Sequence, residues 1–451
     1  MWYFYQMLNE LEKLVAKLSK MAVEEPFVFF SIENNIDCDH SKKNSKVSFL
    51  LEGIKDFVFL NFNEENTGFL VKLLKNTVFS KEKKVICCNS KPFFSFLFSK
   101  KVNLNDFECS FYDLSWWFHY FFPDKKIFVK NIKDLFSNHQ NELSFLITQK
   151  KDSSSMVLYN DVFKKLITSV LPAIENSHLI DICKEEKVFS YYEIEGQDNG
   201  RLSCQVHLAK CFNPHSLGSD VKENLLPQKP FNIFVYMDFQ NMEVYVLAEI
   251  SNDERLKNIL SQKNGDFYQY VFTELLKVEN VSRNVSKKLF LGIIYGLGYR
   301  NLANSLNIGE QEAFLLISKL KSLFPSVFAF TENAEKQAKE DGYVFDVFGR
   351  KRILTSQFYK AKNFVVQSPS ALLCLEKLIN LHESLDSKYA QIAYSVHDGY
   401  CVMMEKQYFS KCFKDLKNAL EQSSKFLPNL KLKISMEVGR NLNNMQKVIF
   451  K

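Results

Sequence analysis

Two apolar, strand-sized runs in the second half of the chain lead straight into a carboxylate. The first is Val235-Tyr236-Met237-Asp238; the second is Gln391 to Val396, followed by His397, Asp398-Gly399 and a further apolar run, Tyr400 to Met404. The second pattern reads as strand, tight turn at Asp398-Gly399, and strand. Two acids delivered to neighbouring strand ends are what a pair of Mg²⁺ ions requires. Hard oxygens hold such ions a few ångströms apart, where they polarise the attacking and leaving oxygens of an in-line phosphoryl displacement. Each acid alone is ordinary, since an Asp before Gly is a common hairpin residue.

A second pattern adds the opposite charge. Arg283, Lys287, Leu291 and Tyr295, the last followed by Gly296, recur at steps of four. That spacing lays two cations, an apolar residue and an aromatic along one face of a helix, a stripe suited to a nucleoside triphosphate. An amphipathic helix with i, i+4 cations is the plainer alternative. Glu243 stands five residues after Asp238, at the start of an apolar, helix-like run.

Composition narrows the class. The chain has 451 residues, 46% hydrophobic and 24% charged, a length that predicts about three domains and excludes wholesale disorder. With 43 Phe and 19 Tyr against 14 Gly and 10 Pro, collagen-like and linker-like classes are excluded. The formal charge of +6 permits a polyanionic partner without requiring one. Ten scattered Cys, with no C-x-x-C, argue against a zinc ribbon or disulfide framework and for reduced thiols inside a cell. Cys38-x-His40 beside Asp37 and Asp39 reads as a polar loop. No apolar run is long enough to span a membrane, and the N-terminus (Leu8, Leu11, Leu14 and Leu18 among charges) predicts a packed helix rather than a signal peptide. The expectation is a soluble intracellular protein of the cytoplasm or nucleoid.

Three zones are expected. Phe27–Ile32, Phe57–Phe62 and Val85–Cys88 predict strands of a small α/β module. Lys150 to Ser155 is the linker candidate. From about 156 the pattern turns helical, interrupted by a strand over Asn232 to Met237, with a long helical block from about 254 to 340. The aromatic run Trp116-Trp117-Phe118, with Tyr120, Phe121 and Phe122, predicts core packing or a protein interface rather than a base-stacking platform. Lys83-Lys84 and Lys125-Lys126 read as solvated faces.

Taken together, Asp238 with Glu243, the Arg283–Tyr295 stripe and His397-Asp398 resemble motifs A, B and C of family A DNA polymerases, the bacterial DNA polymerase I type. Asn199-Gly200-Arg201-Leu202-Ser203 is similar to the family's T-G-R-L-S segment. Gly342-Tyr343-Val344 with Phe348-Gly349-Arg350-Lys351-Arg352 resembles the end of its fingers, Asn363-x-x-x-Gln367 a minor-groove pair, and Pro428 to Gly439 its C-terminal segment. The resemblance covers about 199–445. It implies a multidomain α+β and α/β chain shaped as a right hand: an RNase H-like, 3′–5′ exonuclease-type module at 1–150, a reduced thumb at 151–198, and palm and fingers at 199–451, with fingers at about 254–345. It also implies roles. Asp238 and Asp398 would hold two Mg²⁺ ions, with Mn²⁺ as a substitute. Arg283 and Lys287 would bind the dNTP triphosphate, Lys287 also as proton donor to the leaving pyrophosphate. Leu291 and Tyr295 would lie beside the nascent pair, and Glu243 would be the gate against a ribose 2′-hydroxyl. His397 would touch the primer terminus, while Arg201, Asn363 and Gln367 would contact minor-groove acceptors of primer-template DNA that all correct pairs share.

Departures from the family are specific. Leu291 stands where Phe or Tyr is common. Gly399 replaces the acidic residue that follows the second Asp. Phe239-Gln240-Asn241-Met242 stands for Tyr-Ser-Gln-Ile, Tyr245 for Arg, and Tyr359 for an Arg four residues before Asn363. In the N-terminal module Ser31 and Phe93 occupy the places of two nuclease Asp residues, so Glu33 alone cannot hold two ions and no proofreading is expected. About 45 residues are left for the thumb, which predicts a salt-sensitive grip on DNA and dependence on a processivity or replication partner protein. The alternatives are a single-subunit phage-type RNA polymerase and a catalytically silent nucleic-acid-binding subunit.

Overall fold

The computed structural model describes five strands between residues 27 and 113, Trp116, and residues 153–450 except 184–185, 195, 205–210, 263–265 and 279–280. The N-terminal strands are β1 (Phe27–Ile32), β2 (Ser45–Leu51), β3 (Phe57–Phe62), β4 (Lys84–Cys88) and β5 (Ser110–Asp113). They are rich in Phe, Val and Ile, which favour a pleated, half-buried surface. They form one sheet in the order β3-β2-β1-β4-β5, antiparallel through β3, β2 and β1 and parallel through β1, β4 and β5. All three strands expected here are present. The Leu8–Leu18 pattern, Cys38 and His40, Glu33, Phe93, Lys83, Lys125-Lys126 and the aromatics from Trp117 to Phe122 lie outside the described residues. Trp116 is 2% exposed, its ring 5.8 Å from that of Phe163, so this aromatic packs in a core.

The linker expectation needs correction. Ser153–Ser155 open helix α1 (Ser153–Lys165), consistent with the preference of serine for helix starts. A π-helical turn, Leu166–Val170, and a short helix, Leu171–Glu175, extend it. The expected helical pattern then stops. Strands β6 (Leu179–Asp181), β7 (Glu186–Val188), β8 (Tyr192–Glu193), β9 (Ser203–Cys204) and β10 (Leu225–Pro227) follow, in a β10-β6-β7 sheet and a β8-β9 pair. Strands of two or three residues are too short to display an alternation.

Strand β11 (Ile233–Phe239) carries Asp238 inside it rather than beyond its end, two residues further than expected. Helix α2 (Met242–Ile250) follows, and then the long helical block expected over about 254–340. That block is broken into α3 (Glu254–Gln262), a turn at Phe267–Tyr270 running into a π-helical stretch, α4 (Arg283–Ile294), α5 (Tyr299–Leu306), α6 (Glu310–Leu323) and α7 (Pro325–Asp341). The breaks are chemical: Lys277 and Asn307 adopt left-handed backbone, Gly298 and Gly309 precede new helices, and Pro325 starts one. One apolar core joins these pieces, with Leu289, Phe290, Ile293 and Ile294 of α4 packed among Phe267, Tyr268, Phe324 and Val327.

A hairpin, β12 (Tyr343–Phe345) and β13 (Lys351–Ile353), leads to α8 (Lys360–Ser384). Then come β14 (Ala390–Val396), β15 (Gly399–Met404), α9 (Lys406–Glu421), β16 (Ile434–Gly439) and β17 (Met445–Lys447). Together with β11 these make an antiparallel sheet in the order β14-β15-β11-β16-β17, so β11 is its centre. Along β11 only Tyr236 and Asp238 are not fully buried, which puts both on the open face. Cys183, Cys204, Cys211, Cys374, Cys401 and Cys412 are all free thiols. Among the described residues no single helix is long and apolar enough to cross a membrane.

Candidate active site

Sheet register brings the two expected acids together. Asp238 lies opposite Gly399 on the neighbouring strand, so Asp398 is one residue from direct pairing with it. The backbone N–H of Phe239 donates to the Asp398 carbonyl at 3.3 Å. The turn is His397-Asp398, one residue earlier than expected, with His397 at φ +53°. Burial and the Asp398 charge push the Asp238 carboxyl up to about 7, against the pull of Lys287 and Arg283. Asp398 is raised as well, by burial first, with its own backbone N–H, Lys287 and Arg201 opposing and Glu243 adding to the rise. Two largely buried carboxylates whose ionised forms are disfavoured, Asp238 by burial and the Asp398 charge and Asp398 by burial and the Glu243 charge, are an oxygen-donor set short of positive charge, and that chemistry fits a hard divalent cation. No group of three or more His, Cys, Asp or Glu arranged for a metal occurs among the described residues.

The cations come from α4. Its rear face (Ser286, Leu289, Phe290, Ile293, Ile294) is buried, leaving Arg283 and Lys287 exposed in front. The Lys287 charge acts on both acids and that of Arg283 on Asp238. The Arg283 Nε is paired with the carboxylate of Asp266, whose other oxygen accepts the Gln269 backbone N–H at 2.9 Å. Leu291 and Tyr295 are half-buried against the helical core. Tyr295 ends α4 rather than lying within it, its N–H donating to the Leu291 carbonyl at 2.9 Å.

Three expected residues form one bonded chain. Asn241, at φ +56°, turns the backbone from β11 into α2 and sets Glu243 in the first turn. Glu243 Oε2 accepts the Tyr295 hydroxyl at 2.9 Å, and its Oε1 accepts Arg201 Nη2 at 2.5 Å. Both ionic side chains are largely shielded, 24% and 18% exposed, which strengthens the pair relative to a surface bridge. Burial and Glu243 raise the Tyr295 hydroxyl well above its ordinary value.

The residues expected to meet DNA flank this chain. Arg201 N–H donates to Asn199 Oδ1 at 3.1 Å, and Asn199 Nδ2 donates to Gln367 Oε1 at 3.3 Å. Gly200, at φ +80°, has room for no side chain, because a Cβ there would sit 3.1 Å from the guanidinium carbon of Arg350. Arg350 in turn donates to Ser368 Oγ at 3.2 Å, and Ser368 donates to Asp346 Oδ2 at 2.7 Å. Asn363, one turn before Gln367 on α8, has a buried Oδ1 with no hydrogen-bond partner among the described residues. The His397 ring lies 4.6 Å from that of His215, and desolvation with the nearby Arg201 and His215 pushes it down to about 4.

Sequence reasoning missed Asp266, His215, Tyr236 and Glu437. Asp266 could have been found as a helix-capping Asp, and His215 from the Asn213-Pro214-His215 turn, where Asn213 accepts the His215 N–H at 3.0 Å. Glu437 reaches the acids only through strand pairing, which leaves no local signal, whereas Tyr236 lies two residues before Asp238 on the same face of β11, a period-two relation visible in the sequence. Two departures gain a place: Tyr245 donates to the Leu260 carbonyl at 3.1 Å, whereas Tyr359 is 48% exposed just before α8.

Comparison with known proteins gives the family and the fold. DNA polymerase I of Caldicellulosiruptor bescii is 24% identical over 338 residues, covering 70% of this chain and 38% of that protein. DNA polymerase theta of Drosophila melanogaster is 24% identical over 304 residues, 60% of this chain and 14% of its own. The chain therefore spans less than two fifths of the length of these relatives. Among solved structures, the POL domain of Pol1 from M. smegmatis, in complex with DNA primer-template and dNTP, shares the fold. It matches with a TM-score of 0.69 over 96% of this chain and 98% of that one, at 13% identity. The family model for DNA polymerase family A matches residues 118–444, well over half of the sequence, and the chain belongs to that family.

Proposed function

We propose that the chain is a template-directed DNA polymerase, extending a primer 3′ end with dNTPs by two-metal phosphoryl transfer and lacking proofreading. The observation that carries this reading is the meeting of Asp238, on β11, with Asp398, in the turn that leads into the neighbouring β15, within the electrostatic reach of Lys287. Asp238 and Asp398 would hold the Mg²⁺ ions, or Mn²⁺, which when bound supply charge neutralisation and a more acidic primer hydroxyl. The 3′-oxygen loses its proton to solvent and attacks the α-phosphorus. The bond to pyrophosphate breaks, and Lys287 gives that leaving group a proton. Arg283 neutralises the triphosphate, which requires it to leave Asp266. Glu243, tethered by Arg201 and Tyr295, is fixed where a ribose 2′-hydroxyl would crowd it, which favours deoxynucleotides. Arg201, Asn363 and Gln367 read minor-groove acceptors through their N–H groups; the Asn199–Gln367 bond engages Gln367 Oε1, which leaves its Nε2 as the atom that donates, and His397 meets the primer end.

The domain division at 1–150, 151–198 and 199–451 belongs to the same reading. Ser31 on β1 lies in register between Ser48 and Cys88, so no carboxylate stands at that place in the sheet, which supports the absence of nuclease activity. A reduced thumb accounts for a partner protein that clamps the duplex.

Primer extension with the Asp398→Asn variant as control tests the reading. Template-dependent products from the parent and none from the variant are expected. Equal incorporation of rNTPs would favour an RNA polymerase, absence of products from the parent a silent binding subunit, and trimming of a mispaired 3′ end would overturn the no-proofreading claim.

A further inference from the structure

One position beside the acids is filled from an unexpected direction. Gly399 is buried and lies opposite Asp238. A Cβ built on it would collide with the Tyr236 hydroxyl, coming within 2.8 Å of the Tyr236 Cζ, and would stand 3.2 Å from Asp238 Oδ1. Gly399 is therefore glycine for lack of space, since its backbone is not among the positive-φ residues. Tyr236 and Asp238 alternate on the open face of β11, and Tyr236 is flanked in register by Cys401 and Glu437. Its phenol is an O–H donor and acceptor.

We propose that Tyr236 is a positioning residue for the metal-holding pair, its hydroxyl filling the space over Gly399 and confining the Asp238 carboxylate from that side. The large side chain on β11 and the missing one on β15 are then a single device split between distant positions. It occupies with a neutral hydroxyl the place of the acidic residue that follows the second Asp in the polymerases this chain resembles. The proposal rests on the reading of Asp238 and Asp398 as metal ligands. Its logic is that of other outer partners of metal ligands: a neighbour that limits a ligand's orientations preserves affinity without touching the ion.

The test uses the full chain without DNA, with Mn²⁺ alone as the probe, read by electron paramagnetic resonance, and with thermal melting alongside. Tyr236→Phe is expected to melt like the parent and to bind Mn²⁺ about tenfold more weakly. Gly399→Ala is expected to lower the melting midpoint, and Tyr236→Ser combined with Gly399→Ala to recover it. Unchanged Mn²⁺ affinity in Tyr236→Phe, or a Gly399→Ala defect that Tyr236→Ser does not relieve, would overturn the proposal while leaving the metal reading intact. A parent chain that binds no Mn²⁺ would sink both.

Discussion

Asp238 is held from both sides by the register of a five-stranded sheet and Asp398 sits in the hairpin turn beside it, whereas Arg283 and Lys287 stand on the exposed front of a helix gripped only from behind. The two halves of the site therefore differ in what they do to the empty protein. The acids are half-buried, and burial opposes the ionisation of both, with the Asp398 charge adding at Asp238 and the Glu243 charge at Asp398, so they weaken the fold in which they are fixed. The cations are solvated and weaken nothing. A site assembled in this way has its strain on one side only, and neutralising each half should separate activity from stability.

The largest effect is expected at the acids. Asp398→Asn or Asp238→Asn should lower the extension rate by on the order of a thousandfold or more, the several kcal/mol that charge stabilisation supplies in such a transition state. Stability should move the other way. The Asp238 carboxyl goes from 3.8 to about 7 on folding. Below pH 3.8 it is protonated in both states and has no effect. As pH rises towards 7 the unfolded chain ionises first, and stability falls. Above 7 the loss is complete. Asp238→Asn should thus unfold at higher denaturant than the parent at pH 8, by on the order of 2 kcal/mol, with the gap closing towards pH 4. A variant less stable than the parent at pH 8 would break the contrast drawn here.

Lys287→Ala comes next. Loss of a preorganised charge aimed at the developing negative oxygens should cost about a hundredfold in rate. Its melting curve should overlay that of the parent, because the side chain is exposed and the helix is held by Leu289, Phe290 and Ile293. A large drop in melting point would place Lys287 among the structural residues instead.

The same contrast explains how much of the molecule was legible in its sequence. Both acids and the stripe of α4 announce themselves because strand and helix periodicities are local: Asp238 follows an apolar run, and Arg283 to Tyr295 repeat every four residues. Three of the five strands of the N-terminal sheet, β1, β3 and β4, were legible for the same reason, while β2 and β5 were not read. What was not legible depends on pairing between distant segments. The steric exchange between Tyr236 and Gly399 spans two strands, the Arg283–Asp266 pair joins two helices, and the two-residue strands between Glu175 and β11 exist only because partners lie alongside. The expected helical block over about 254–340 is present, but its division where Lys277, Asn307 and Pro325 turn the chain rests on signals that are visible one residue at a time and weak against a long apolar pattern.

A smaller effect is expected at Glu243, which belongs to neither half. Its carboxylate joins Arg201 to Tyr295, so Glu243→Ala removes the gate and both tethers. Discrimination against rNTPs should fall by about tenfold to a hundredfold, measured as the ratio of kcat/KM for dNTP and rNTP on one primed template. Unchanged discrimination would move the gate elsewhere in the site.

The finest probe of the cation half is Asp266. Its carboxylate holds Arg283 away from an incoming triphosphate, and it also caps the Phe267–Tyr270 turn through the Gln269 N–H. Asn keeps the cap and removes the charge. Arg283 is 51% exposed, so the pair is worth only the 0.2–1 kcal/mol typical of such bridges, and Asp266→Asn should lower KM for dNTP by about two- to fivefold with kcat unchanged. Because the competition is electrostatic and close to solvent, the gain should shrink as salt rises from 50 mM to about 300 mM. A KM that increases would mean that Asp266 aims Arg283 at the triphosphate rather than withholding it. The cation half would then be as preorganised as the sheet that faces it.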